Sequence, residues 1–265
     1  MVYNSDVGRT PDRLFAILVA DLTTTQLGQV QEKFGIGANV CCPYAEYELF
    51  IQDKRELSAR PHAELKRAFP DKQPLLVFDS RTPEDGGIWY LERFADQDDV
   101  DEELAENLNT LFKIRMDIRD VVIKFVNYDI ANTDISEDLD TVDISLPIPE
   151  DFDQKSLLPP CLDWIGERYL NRAAIIAVPD EMEESNDPRD LDGFVPPPDI
   201  VYSLKEDIAR QAGLDVTCST AYDAPDEITL PDGTKKKFPE GSKKLNVKYN
   251  PETAVPRYKR PEGSL

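Results

Sequence analysis

The stretch Leu111–Leu139, LFKIRMDIRDVVIKFVNYDIANTDISEDL, is the place where a long apolar run meets a clear helix start signal, and the rest of the chain is read outward from it. In its middle, Val121, Ile123 and Phe125 alternate with Val122, Lys124 and Val126. A run so rich in β-branched and aromatic residues predicts an interior strand with Lys124 as its sole charge. Asn132 or Thr133 is then placed to cap a short helix over Asp134–Leu139, where Ser136, Glu137 and Asp138 put negative charge on the first turn, the end the helix dipole favours.

Upstream, Arg13–Ala20 reads as a buried strand. Asp21–Thr25 offers capping residues for a helix over Gln26–Phe34 that Gly35 and Gly37 would stop. Tyr44–Ile51 reads as a second strand, and Ser58–Phe69 as an amphipathic helix ended by Pro70. Leu75–Asp79 and Ile88–Phe94 form a predicted hairpin, followed by an acidic helix over Ala95–Glu106 and a strand over Phe112–Asp117. Downstream, Asp140–Pro160 is proline-rich and acidic and reads as a seam. Leu162, Ile165, Tyr169 and Leu170 have helical spacing, and Ala173–Val178 is an apolar strand. Pro179–Pro198 is expected to be irregular, and a helix is predicted from Pro198 through Ile200, Leu204, Ile208 and Ala212 to Gly213. Pro231–Thr234 is hairpin chemistry, and Leu245–Tyr249 reads as a last strand. The fold class that follows is α/β, with α+β as its variant: a mixed β-sheet with flanking helices, then an irregular, acidic C-terminal half ending in an extended basic arm. The expected domains are a core over 10–145, a packed extension over 146–227, and a basic hairpin and tail over 228–265.

The junction Asn127-Tyr128-Asp129-Ile130-Ala131-Asn132-Thr133-Asp134 resembles a family of small uncharacterised bacterial proteins of unknown function, in which a sheet strand ends in a pattern like N-L-S-L-A-N-M-D followed by an acidic helix. The resemblance covers Leu75–Asp140, extends back to Leu14, and departs where the pattern has Leu, Ser and Met. It implies a compact α/β unit and carries no activity with it.

Composition bounds the partners. A net charge of −22 repels phosphate backbones, so nucleic acid would require a segregated basic patch. Residues 228–265 hold nine Lys or Arg against four Asp or Glu, a local +5, which leaves −27 on the preceding body. That arm is expected to be drawn back over the body by several ion pairs with apolar anchors, weakening as salt rises. No segment approaches the ~20 apolar residues of a membrane span, and the first residues lack a leader's cleavage pattern. Cys41 and Cys42 are adjacent and Cys161 and Cys218 stand alone, so no metal-chelate spacing exists and reduced thiols in a cytoplasmic or nuclear setting are the expectation.

Candidate sites are few. Asn127, Tyr128, Asp129 and Asn132, with Arg115, offer polar side chains at one predicted strand end, although capping and first-turn roles account for Asn132 and Asp134. Cys42 with His62 would make a thiolate pair if the fold joined them, yet a lone histidine at a helix start is ordinarily a surface residue. Tyr44, Tyr47 and Phe50 suit a partner-facing patch or a core face equally. The acid runs Asp96–Glu106, Glu137–Asp153 and Asp180–Asp192 lack the spacing of a calcium loop and suit a basic protein partner or plain solvation. With no cofactor or metal motif, two readings stand: a non-enzymatic protein-binding or adaptor protein, and a small-molecule-binding protein or enzyme using the Asn127–Asp134 end.

Overall fold

A computed structural model describes residues 3–4, 11–41, 47–161, 172–192, 194–230, 232–248 and 260–265. The chain divides into two compact units. One holds strand β1 (Tyr3–Asn4) and the described residues from 172 to 248; the other holds 12–41, 47–161 and 260–265.

In the larger unit, β2 (Asp12–Leu18) leads through α1 (Thr24–Cys41) to β3 (Tyr47–Asp53), which lies parallel to it with Asp12 opposite Tyr47 and Leu18 opposite Asp53. After α2 (His62–Ala68), β4 (Leu75–Phe78) pairs in parallel on the other side of β2. A single turn, α3 (Thr82–Asp85), closes on Gly86 in the left-handed region and starts β5 (Gly87–Phe94), antiparallel to β4. After α4 (Gln97–Asp101), β6 (Leu111–Asp117) pairs antiparallel with β5, giving the order β3-β2-β4-β5-β6 among the described residues. This is the expected α/β architecture, a mixed sheet with helices. The period of two sends Leu14, Ala16, Leu76, Phe78, Ile88, Tyr90, Ile114 and Met116 into one core, and Ile17, Leu75, Val77, Trp89 and Leu91 into a second on the opposite face.

Several predicted elements differ in the structure. The Val121–Val126 run is not a strand: it lies within α5 (Val121–Asp129). Asp117 ends β6 by accepting from the Arg119 backbone N–H at 2.9 Å, and the Lys124 N–H bonds back to the Asp120 carbonyl at 2.9 Å. Val121, Val122, Phe125 and Val126 then pack toward the core at helical spacing, which outweighs their β propensity. Gly35 and Gly37 also fail to stop α1. Gly37 is a contact residue, since a Cβ there would fall 1.9 Å from the Arg119 carbonyl oxygen. The start of α1 follows its sequence: the Gln26 amide oxygen accepts from the Thr23 N–H at 2.8 Å, and the Thr23 hydroxyl accepts from the Gln26 N–H at 3.3 Å, a reciprocal cap. The next helix, α6 (Ile135–Asp140), forms as expected, with Asp134 in place of Asn132 or Thr133 as its cap; Asp134 accepts from the Ser136 N–H at 2.8 Å.

The acidic stretch read as a seam carries Val142, Ile148, Phe152 and Leu158 into the first core. Ile148 bridges Ala105 in parallel. Gln154, fully buried, presents its side-chain amide to the edge of β6 as a strand would, accepting from the Arg115 N–H at 2.7 Å and donating to the Arg115 carbonyl at 2.8 Å. The predicted acidic helix over Ala95–Glu106 is only the five residues of α4.

The smaller unit is built on β7 (Arg172–Ala177), flanked by β1 and by β13 (Lys243–Lys248), with β10 (Ala221–Asp223) outside β13. All three pairings are antiparallel. The stretch expected to be irregular contains β8 (Met182–Ser185) and the short α7 (Pro188–Leu191). The helix expected from Pro198 begins as a strand, β9 (Val201–Leu204), paired with β8, and turns helical only as α8 (Glu206–Ala212), which Gly213 caps in the left-handed region as its position foretold. Met182, Leu204, Ala209, Leu214, Leu245 and Val247 form this unit's core with Ile175 and Ala177. Strand β11 (Glu227–Thr229) pairs antiparallel with β12 (Lys235–Lys237), the hairpin expected there, and the Gly233 N–H donates to the Leu230 carbonyl at 2.8 Å. Cys161 and Cys218 are free thiols among the described residues; Cys42, Tyr44 and the predicted helix through Leu162–Leu170 lie outside the described residues.

Candidate functional site

Arg115 does not join the Asn127–Asn132 group. It projects from β6 onto the Trp89 face of the sheet, where it is 1% exposed. Its guanidinium donates to Asp79 at 3.0 Å and forks onto Asp85 at 2.9 and 3.1 Å, while the Trp89 indole N–H donates to Asp79 at 3.2 Å. Burial raises the Asp85 carboxyl, but the hydrogen bonds from Arg115 and the Gly87 N–H outweigh it and hold the group below its ordinary value. Asp79 and Asp85 lie thirty or more residues from Arg115 in sequence, so only the fold reveals the set.

The same face gathers His62, whose ring centroid lies 4.6 Å from that of Trp89. Burial first, then the charge of Lys113, press the imidazole down to about 4, so it is neutral at physiological pH. Lys113 is held over two aromatic rings, 4.7 Å from the Phe152 centroid and 5.4 Å from that of Trp89. Its burial lowers the ammonium, and Asp153 and Asp151 oppose that shift. A thiolate pair of His62 with Cys42 falls outside the described residues.

On the opposite face, α5 places Lys124 and Tyr128 one turn apart, both on Asp138 of α6. The Lys124 ammonium donates to its two oxygens at 2.7 and 2.6 Å and the Tyr128 hydroxyl donates at 2.5 Å. The Tyr128 ring stands edge-on to Tyr90, with centroids 5.5 Å apart. Burial and the Asp138 hydrogen bond push the Tyr128 phenol above its ordinary value. Asn127 and Asn132 meet each other across the end of α5, main chain to main chain at 2.9 Å, a helix-end role; Asp129 is exposed. Among the described residues the buried Thr133 hydroxyl oxygen has no hydrogen-bond partner.

The residue that sequence reasoning missed here is Glu92. It is half-buried near Asp134 and Tyr128, and among the described residues its carboxyl makes no hydrogen bond or ion pair. Burial, reinforced by Asp134, raises it to about 7, against the opposing pull of Arg93 and Lys66. No motif flags such a residue, because its signal is a missing partner.

A third feature is the acidic ledge around α4. Asp99 is buried and paired with Arg93, and it shares a capping box with Asp96. The Arg93 guanidinium lies 4.8 Å from the Phe112 ring centroid. This anchor leaves Asp98, Asp101, Glu102, Glu103 and Glu106 exposed. The Ala105–Ile148 bridge brings a second acidic strip, Glu150, Asp151 and Asp153, into the same unit: the Glu150 N–H donates to Glu106 at 2.9 Å and Asn107 donates to Glu150 at 3.1 Å. Leu108, 53% exposed, and Leu146, 49% exposed, lie in the two connected segments.

Among the described residues no group of His, Cys, Asp and Glu is arranged to hold a metal ion, and no helix is long and apolar enough to cross a membrane. Compared with protein-family models, with curated proteins and with solved structures, the chain matches none.

Proposed function

We propose that the protein is a protein-binding or adaptor protein whose docking surface is the acidic ledge around α4, and that its partner presents a basic face. The observation that carries this reading is the bracing of the ledge. Like charges repel, and a merely solvated acid run gains nothing from being fixed, yet here the Arg93–Asp99 pair, the capping box and the 105–148 bridge hold two acidic segments in place. Fixed charges complementary to a partner speed encounter and set register, and the half-exposed leucines beside them supply apolar contact. The test is quantitative affinity capture from the source cell with wild type and with Asp98→Lys/Asp101→Lys/Glu103→Lys, at low and high salt. The reading expects partners that are lost in the variant and weakened by salt. Retention of every partner by the variant would end it.

A second reading has its own observation. The Glu92 carboxyl, without a hydrogen bond or ion pair among the described residues and near Asp134 and Tyr128, supports a site for a small ligand that donates hydrogen bonds at the Asn127–Asp134 end. A fragment screen by NMR on wild type and Glu92→Gln tests it: hits must cluster on Tyr90, Tyr128 and Thr133 and vanish in the variant.

A further inference from the structure

Among the described residues β3 is the last strand of its sheet, and the outward main-chain groups of such a strand can pair with another segment. At Ile51 the chain's own residues 260–265 meet them. The Leu265 N–H donates to the Ile51 carbonyl at 3.1 Å. The Ser264 hydroxyl accepts from the Ile51 N–H at 2.9 Å and lies 3.5 Å from the Leu49 carbonyl, so one side chain substitutes for a strand residue. From the other wall, the Gln31 amide of α1 donates to the Leu265 main-chain oxygen at 2.5 Å. Leu265 packs on the first core, Pro261 is buried, and Gly263 adopts a φ of +80° that turns the segment in. Gly28 of α1 keeps the approach open: a Cβ there would fall 3.2 Å from the Arg260 guanidinium.

We propose that the groove between β3 and α1 is a peptide-docking site, occupied in cis by Pro261–Leu265, and that an extended partner segment carrying a hydroxyl residue followed by an aliphatic one takes their place. The fit of the resident segment is incomplete. Gln31 is 1% exposed, and among the described residues its buried side-chain carbonyl oxygen has no donor. A segment that supplies a further N–H at that oxygen satisfies a group the resident leaves unmet, so it gains over the resident by a hydrogen bond made without loss of another. The hydrogen bond from the Leu265 N–H to the Ile51 carbonyl is main chain to main chain and tolerates many sequences, whereas the serine hydroxyl that takes the Ile51 N–H and the leucine side chain set the preference. This site is independent of the acidic ledge.

The experiment titrates a fluorescently labelled peptide of residues 260–265, RPEGSL, into the full chain and into Leu265→Asp. An occupied groove lowers apparent affinity by the fraction of time it is free, so a resident present about nine-tenths of the time costs about tenfold. The expected result is binding to Leu265→Asp at least about tenfold tighter than to wild type, and none by a peptide with aspartate in place of its leucine. The same peptide in excess should alter hydrogen exchange at the Ile51 amide of wild type, a readout that stands if Leu265→Asp folds poorly. Failure to bind either protein together with unchanged Ile51 exchange would overturn the proposal. So would a wild type that dimerises through exchanged tails, seen as a doubled mass that Leu265→Asp abolishes.

Discussion

Arg115 and Glu92 sit on neighbouring strands of one sheet, β6 and β5, and each withdraws an ionisable group from water, with opposite outcomes. Arg115 is the more deeply buried of the two and fully answered: Asp79 and Asp85 take its donors, and Asp79 also takes the indole N–H of Trp89. Glu92 is only half-buried, and none of the described residues answers it. Depth of burial therefore does not decide whether a group is fixed in place; completeness of its partners does.

The largest expected effect breaks the answered side. Arg115→Met strands Asp79 and Asp85 and should cost about 3–5 kcal/mol in chemical denaturation, as removal of one partner from a buried pair does. A loss below about 1 kcal/mol would mean that the two carboxylates simply find water. On the other face, Lys124→Met leaves Asp138 with the Tyr128 hydroxyl alone and should cost about 1–3 kcal/mol; the double variant with Asp138→Asn should recover part of it if the pair is what is being measured. A smaller effect belongs to Phe125. It is half-buried against Tyr47, 6.0 Å between centroids, so Phe125→Ala should cost about 1–2 kcal/mol, less than the ~3–5 kcal/mol of a fully buried aromatic. Equality with Phe34→Ala, whose side chain is fully buried, would contradict the helical placement of α5.

The difference between what the sequence made plain and what it hid has the same origin. Strands β2, β4, β5 and β6 are legible because each is short, apolar and bounded by turn residues, so local pattern and tertiary demand agree. In α5 they disagree: β-branched valines argue for a strand, and only the wedging of Val121, Val122, Phe125 and Val126 against α1 and the sheet selects the helix. The glycines of α1 misled for a related reason, since Gly37 answers a close approach by Arg119 that no local rule encodes. Of the site candidates, Tyr128 does enter a polar cluster, but through Lys124 and Asp138; Arg115 faces the other way because strand alternation puts it beside Trp89. Lys113, His62 and Asp79 converge from three segments, and Glu92 announces itself only by what it lacks.

The comparison of the two faces is tested most directly by the pH dependence of unfolding free energy between about pH 4.5 and 7, measured for wild type, Glu92→Gln and His62→Asn. Glu92 is raised to about 7 from an ordinary 4.5, so the folded state holds a proton that the unfolded state has lost; its contribution is full below about 4.5 and disappears as pH rises to 7. His62 is lowered to about 4 from 6.5, so the unfolded state takes up the proton first; its contribution is full above about 6.5 and disappears as pH falls toward 4. The two slopes oppose each other across the shared window, each worth on the order of 1 kcal/mol after allowance for partial exposure. The account predicts that Glu92→Gln tilts the stability curve upward with pH relative to wild type and that His62→Asn tilts it downward. A Glu92→Gln curve that superimposes on wild type or tilts downward would show that the Glu92 carboxyl is answered after all and that the two faces do not differ as described.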